Sequence, residues 1–388
     1  MPTTLIHAAR VLTPAAEISD AGILVREGVI ESIGLREGLR LPAGGTEIRA
    51  LEQTAIPGFI DIHIHGAGGR DVMEATADAL GAVAGKVATW GTTSLLTTTV
   101  TASPDETCRA AGGIARYIAQ QHHSAEARAE VIGIHFEGPF ISRARPGVHP
   151  VEWIQPPSVD LLDRFLQAAA GNGRLITMAP EAPGAAPCME AARKAGLVVS
   201  LGHTDADYEQ TRMAIAHGAR SATHTYNAMR PFTHRDPGVI GAVLTSPEIS
   251  AELIADGMHV EEGAMKLLLQ AKGPERVILV SDGLSATGMP DGKYMLGGFE
   301  IIVSNGVCRN PAGVLAGSTL TLDRALRNIV RLGVPLKDAV NMLTRNPASL
   351  LGVEFKKGSL RVGADADILL LDSELRVTSI WTRGMAIH

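Results

Sequence analysis

Cysteine is scarce in this 388-residue chain: Cys108, Cys188 and Cys308 are far apart, odd in number and outside any C-x-x-C. That pattern excludes a disulfide framework and a thiolate metal site, and it points to a reducing compartment. The chain does not open on a charged stretch followed by a long apolar one, and no apolar run reaches the ~18 residues of a membrane span. A soluble cytoplasmic protein with no membrane partner is expected. Positive charge is not in excess either, the formal net charge being −6. Nucleic acid is therefore not an expected partner, and an anionic ligand would need a local positive site. Low-complexity tracts and short repeats are absent. No G-x-G-x-x-G follows an apolar run, which argues against an open dinucleotide-binding sheet.

What is present is a rhythm. Hydrophobic residues make up 45% of the chain, enough for a substantial core. Apolar, β-branched runs recur at 54–65, 92–100, 131–138, 174–180, 196–204, 220–227, 250–257 and 276–283. Between most of them lie alanine-rich segments of helical period, such as 78–90, 105–121 and 159–171. Strands alternating with helices predict βα units and a parallel sheet, and eight such units predict a (β/α)8 TIM-like barrel of the α/β class. The ends read differently. Residues 1–53 and 355–388 hold short alternating stretches without helical period, the first split by a turn at Glu27-Gly28. They are expected to pair into one small β-sandwich domain beside a barrel spanning 54–354.

In such a barrel the chemistry sits at the C-terminal ends of the strands. The first run ends "IPGFIDIHIHGAGG", which places His63 and His65 two residues apart on one strand face. The third ends in Glu137, the fifth in His203 and the eighth in Asp282, while the sixth carries His224. An isolated strand-end histidine is usually structural, and an aspartate before glycine usually makes a turn. Six nitrogen and oxygen donors gathered around one axis instead suit a divalent transition ion such as Zn, Fe, Co or Mn. His135 shares a face with Glu137 and is expected behind the ligands. His122 and His123 follow a helix in a polar segment and read as solvated.

At these residues the chain resembles a known family. "PGFIDIHIHG" resembles the barrel opening of the amidohydrolase superfamily. "HFEGPFIS", "GHTDA", "THTYNAM", "DGMHV", "VSDG" and "LAGSTLTLD" are similar, in order and over almost the whole chain, to N-acetylglucosamine-6-phosphate deacetylases. The resemblance implies hydrolysis of the acetamide of a phosphorylated N-acetylated amino sugar by a homodimer in amino-sugar metabolism. Because both His63 and His65 are present, it favours two ions over one, with Glu137 bridging and His203 and His224 completing the second site. It also implies substrate contacts from His149 near the acetyl carbonyl, from Asn227 and Ala228 near the phosphate, and from His259 near the sugar or phosphate. Arg235 can bind phosphate oxygens in bidentate fashion, in its own site or the neighbouring subunit's.

The chemistry assigns one more role. Amide hydrolysis needs an activated water and a protonated leaving nitrogen. Asp282 is read as the general acid/base, taking a proton from metal-bound water and handing it to the amine. It is expected to be a ligand as well. "LAGSTLTL" puts Ser318 and Thr319 at a helix start, where either would cap it. Rival readings are an N-acetylgalactosamine-6-phosphate deacetylase, another amidohydrolase such as a cyclic amidase, and a catalytically inactive scaffold. No lysine stands at a predicted strand end to bridge metals as in the cyclic amidases, and an inactive relative would be expected to lose ligands.

Overall fold

Residues 3–14, 16–121 and 126–387 are described by a computed structural model of the chain; His122 and His123 lie outside them. The eight apolar runs become eight parallel strands that neighbour one another in chain order: Phe59–Ile64, Thr92–Thr99, Glu130–Glu137, Gly173–Met178, Val198–Leu201, Ser221–Ala222, Ser250–Leu253 and Val277–Leu279. The eighth closes on the first just past its end. Asp282 N donates to His63 O at 2.9 Å and His65 N donates to Gly283 O at 2.8 Å. The fold is thus a (β/α)8 barrel, as the rhythm predicts.

The crossover helices start where a polar side chain can take up the free amides of the first turn. Thr76, Ser103, Ser158 and Asp207 each accept from the backbone N–H three residues on. Such a cap stabilises a helix by about 1 kcal/mol. The helix Leu322–Arg331 departs from expectation. Its N-cap is Thr321, with no side-chain cap bond. Ser318 and Thr319 do not cap it because their hydroxyls are committed elsewhere, to Ser281 O at 2.5 Å and Gly306 O at 2.8 Å. The helices bury Leu80, Val83, Ile114, Leu162, Phe165, Leu268 and Leu326 against strand residues such as Ile62, Leu95, Ile134 and Val199.

Both chain ends build a seven-stranded sheet in the order Met385–Ile387, Val377–Thr382, Ile368–Leu371, Thr46–Pro57, Thr4–Leu12, Glu17–Arg26, Val29–Leu35. The central Thr46–Pro57 pairs parallel with Thr4–Leu12 and antiparallel with Ile368–Leu371. The turn at Glu27-Gly28 has positive φ at both residues, 52° and 81°, the backbone a two-residue hairpin requires. The sheet encloses its own core of Ile6, Val11, Ile23, Ile30, Leu360, Ile368 and Trp381.

Lys357 fastens this sheet to the barrel. Its buried Nζ lies 2.6 Å from Glu130 Oε2, 2.9 Å from Asp365 Oδ2 and 2.9 Å from Asp367 Oδ2. Burial alone would lower its pKa, but the three carboxylates outweigh burial and hold it well above the ordinary lysine value. Replacing Lys357 with methionine takes the ammonium from the buried Asp367 and the half-buried Glu130 and Asp365, leaving Arg383 beside Glu130 and Asp367, and should cost about 3 kcal/mol, the lower end for a broken buried ion pair. A urea midpoint unchanged from the parent would contradict this.

A second small sheet was not anticipated. Gly292–Leu296, Phe299–Ser304 and Val307–Arg309 form an antiparallel meander after the eighth strand. It packs Leu296, Ile301, Val303 and Cys308 on Leu284, Ala286 and Ala316. This places apolar side chains beside the C-terminal mouth of the barrel.

Candidate active site and metal centre

The sixth strand is shorter than its run predicts, because the chain turns sharply beyond Ala222. His224, Tyr226 and Ala228 have φ of 29°, 83° and 48°. His203 and Asp282 share this left-handed backbone, at 46° and 48°. Such conformations are uncommon for non-glycine residues and cluster at functional sites. Here they lift three side chains out of the strand pleat toward one point. Gly147 also has positive φ, 58°, and a Cβ there would stand 2.9 Å from His203 Cε1.

The side chains meet around Glu137. Its Oε1 lies 3.2 Å from His203 Nε2 and 3.0 Å from His224 Nε2. Its Oε2 lies 3.1 Å from His65 Nε2 and 3.4 Å from His63 Nε2. Asp282 Oδ1 faces the same pair, at 3.3 Å from His65 Nε2 and 3.5 Å from His63 Nε2. The six form two compact buried groups, His63–His65–Asp282 and Glu137–His203–His224.

The partners of Nδ1 decide what each imidazole presents. His65 Nδ1 faces Thr98 O at 3.1 Å, His203 Nδ1 faces Arg145 O at 3.0 Å, and His63 Nδ1 faces Glu252 Oε2 at 3.0 Å. In the neutral ring these acceptors keep the proton on Nδ1, so Nε2, once deprotonated, turns its lone pair inward. His149 is the reverse. Its Nδ1 accepts from Thr101 N at 3.2 Å, so the proton sits on Nε2, which points toward Glu137 at 3.5 Å. His149 therefore offers a hydrogen-bond donor and not a ligand.

Charge is balanced tightly. Burial would raise the carboxyl pKa of Asp282, but the charge of His63 and the hydrogen bond with His65 bring it down to about 2. Glu137 is likewise held well below its usual range against burial, by the charge of His63 and by the close imidazoles of His149, His203 and His224. Burial would lower His65, yet bonding to Asp282 and Glu137 raises it to about 9. His203 is pulled down to about 4 by burial and by His149. His203 Nε2 and His224 Nε2 stand only 3.1 Å apart, a distance that requires a proton or a cation between two nitrogen donors. The residues thus fit one or two divalent ions: only nitrogen and oxygen donors, lone pairs convergent, and anionic carboxylates to match the charge.

Beside the groups lies a cavity of about 370 Å³. His65, Glu137, His203, His224 and Asp282 line it, and so do His149, Asn227, Ala228 and His259. His63 is buried behind them, at 0% exposure. His259 is held by Asp256, with Nδ1 2.7 Å from Oδ2. Leu296, Val314 and Leu315 supply an apolar wall from around the small meander. Arg235 is not part of this lining and stands exposed on the 231–235 segment.

Two acidic residues escape a reading confined to strand ends. Glu252, in the seventh strand, supports His63 and accepts from His224 N at 3.1 Å. Asp61 accepts from the backbone of His63 and Ser281, each at 3.3 Å, and burial raises it to about 6. His135 lies deeper, Nδ1 3.1 Å from Ile62 O and Nε2 2.8 Å from Thr177 Oγ1.

A closed parallel barrel with nitrogen and oxygen donors gathered at its C-terminal mouth defines a metal-dependent hydrolase. Comparison with known proteins narrows the class: residues 54–385 match the amidohydrolase family, and the chain belongs to it. An N-acetylglucosamine-6-phosphate deacetylase of Vibrio furnissii is 38% identical over 98% of this chain and 94% of its own. An N-acetylgalactosamine-6-phosphate deacetylase of Escherichia coli O157:H7 is also 38% identical, over 98% of each. The structure is similar, with TM-score 0.92 and 34% identity over 100% of both chains, to that of a mutant N-acetyl-D-glucosamine-6-phosphate deacetylase from Mycobacterium smegmatis in complex with N-acetyl-D-glucosamine 6-phosphate. Among the described residues no helix is long and apolar enough to cross a membrane.

Proposed function

We propose that this chain hydrolyses the acetamide of N-acetyl-D-glucosamine 6-phosphate to D-glucosamine 6-phosphate and acetate. The observation that carries this reading is the pair of donor groups joined by Glu137 on the wall of the cavity. The chain's likeness to deacetylases of phosphorylated amino sugars supports the choice of substrate. In this reading the barrel, residues 54–354, is the catalytic domain. The chain ends, 1–53 and 355–388, form the small β domain.

His63, His65 and Asp282 would hold one ion and His203 and His224 a second, with Glu137 shared. A divalent ion there lowers the pKa of water from 15.7 toward about 7 and polarises a carbonyl oxygen. Asp282 is ionised at neutral pH, so it enters the reaction as a base. It takes a proton from the attacking water and returns it to the amide nitrogen as the C–N bond breaks. The Nε2–H of His149 donates to the acetyl carbonyl. Asn227, Ala228 and His259 bind the sugar and phosphate end.

Arg235 is assigned to the phosphate of the neighbouring subunit in a cytoplasmic homodimer, which agrees with its exposure in the single chain. Arg235→Ala should raise KM for the phosphorylated substrate by one to two orders of magnitude, roughly the ~1.5–3 kcal/mol of a charged hydrogen bond. It should leave free N-acetylglucosamine hydrolysis nearly unchanged; equal losses on both would remove the phosphate role. The galacto epimer is the second reading, because a relative equally identical to this chain carries that name. Acetate release from both epimers, before and after chelation and with metal analysis of the same sample, tests the proposal. Release that survives complete metal removal would overturn it, and faster release from the galacto epimer would install the second reading.

A further inference from the structure

We infer that Glu252 is a positioning residue that sets both halves of the metal centre through a single carboxylate oxygen. The inference rests on the metal-centre reading given above, and it concerns a residue that supplies no ligand. Glu252 is fully buried, at 0% exposure, in the strand Ser250–Leu253. Its Oε2 lies 3.0 Å from His63 Nδ1 and 3.1 Å from His224 N. Its Oε1 is buried with no hydrogen-bond partner. Burying an unpartnered carboxylate oxygen is costly. A glutamate kept for packing alone gains nothing from that arrangement, whereas one that serves a site uses the oxygen that matters.

That oxygen reaches one member of each donor group. On His63 it fixes the proton at Nδ1 and leaves the Nε2 lone pair facing Glu137 and Asp282, at 3.4 and 3.5 Å. A carboxylate behind a ligating imidazole also raises its basicity, and loss of such a partner typically weakens metal binding. His65 and His203 have neutral carbonyls in this place, Thr98 O and Arg145 O. His63, which is sealed from the cavity, thus receives the anionic partner. On His224 the same oxygen holds the backbone N–H of a residue at φ 29°. That bond fixes the turn that aims His224 Nε2 at Glu137 Oε1, 3.0 Å away. The adjoining backbone bond from Thr225 N to Glu252 O, 2.9 Å, fixes the turn to the same residue.

The contact geometry separates two variants. Both groups facing Oε2 donate, so Glu252→Gln will present its amide oxygen to them and its NH₂ to the unpartnered side. Gln should keep the tautomer and the turn; Ala removes both. The experiment is titration of the apo full-length protein with Co²⁺ against a competing chelator, reading affinity, stoichiometry and the visible d–d spectrum, with circular dichroism to confirm folding. We expect Glu252→Ala to bind about 10- to 100-fold more weakly with an altered spectrum, and Gln to recover most of the affinity. A folded Ala variant with parental affinity, stoichiometry and spectrum overturns the inference, as does a Gln variant as weak as Ala. Should Ala not fold, the zinc-loaded parent and Gln variant are compared by ¹⁵N-histidine NMR. His63 protonated at Nδ1 in both upholds the inference, and protonation at Nε2 in either overturns it. A parent protein that binds no Co²⁺ rejects the metal-centre reading itself, and the inference with it; binding by the parent together with an indifferent Ala variant rejects the inference alone.

Discussion

Asp282→Asn should lower turnover of N-acetyl-D-glucosamine 6-phosphate by roughly 10²- to 10⁴-fold, the usual worth of a positioned acid–base group. At about 1.36 kcal/mol per decade this is about 2.7–5.4 kcal/mol of barrier. Asp282 lines the cavity, its Oδ1 lies within 3.5 Å of both His63 Nε2 and His65 Nε2, and its carboxyl is held down to about 2. It is therefore unprotonated where the enzyme would work and can accept a proton before it gives one. Asparagine keeps the shape and one oxygen for coordination but cannot carry that proton. Metal content and substrate KM should stay within a few-fold of the parent while kcat falls. Parental kcat with intact metal content would remove Asp282 as the proton carrier. Loss of metal in step with kcat would make it a ligand only.

The barrel was readable because each strand is an apolar, β-branched run bounded by turn residues, and because helical period fills the gaps between runs. Reading the polar residues at strand ends then gathered His63, His65, Glu137, His203, His224 and Asp282, which the structure brings together. Other features escaped, three of them instructive. The extent of the sixth strand did, because the run 220–227 carries strand-like residues through a left-handed turn whose backbone bonds go to the distant Glu252 and not along the strand. The meander at 292–309 did, although Asn305-Gly306 is a hairpin signal with both φ positive, 51° and 73°. An eightfold β/α rhythm assigns such a segment no place. Glu252 escaped because it precedes the end of its strand, and its partner His63 lies 189 residues away in sequence. Contacts across a closed barrel join strands that are distant in the chain, and periodicity carries no information about them.

Glu137→Gln should do the most damage to the centre itself. Glu137 stands between the Nε2 atoms of both groups, Oε1 toward His203 and His224 and Oε2 toward His63 and His65. An amide has one oxygen to offer, so at most one group keeps its ligand. Its NH₂ would donate to inward-facing imidazole lone pairs and occupy the space an ion needs. Two consequences separate this from simple destabilisation. In chelator, the variant should melt within a few degrees of the parent, since an isosteric neutral side chain replaces a buried charge and remains hydrogen-bonded. With metal, the stabilisation should shrink. An ion at a hundred times its Kd contributes about 2.7 kcal/mol, and a site weakened a hundredfold contributes about 0.4 kcal/mol under the same conditions. The measurement is the melting temperature of parent and variant with and without excess Zn²⁺, with metal counted per chain. Equal metal-induced shifts and equal ion counts would show that Glu137 is not the shared ligand, and the centre would then have to be rebuilt from two independent triads. A smaller shift with fewer ions bound would tie both groups to one carboxylate and make deacetylation depend on it from both sides.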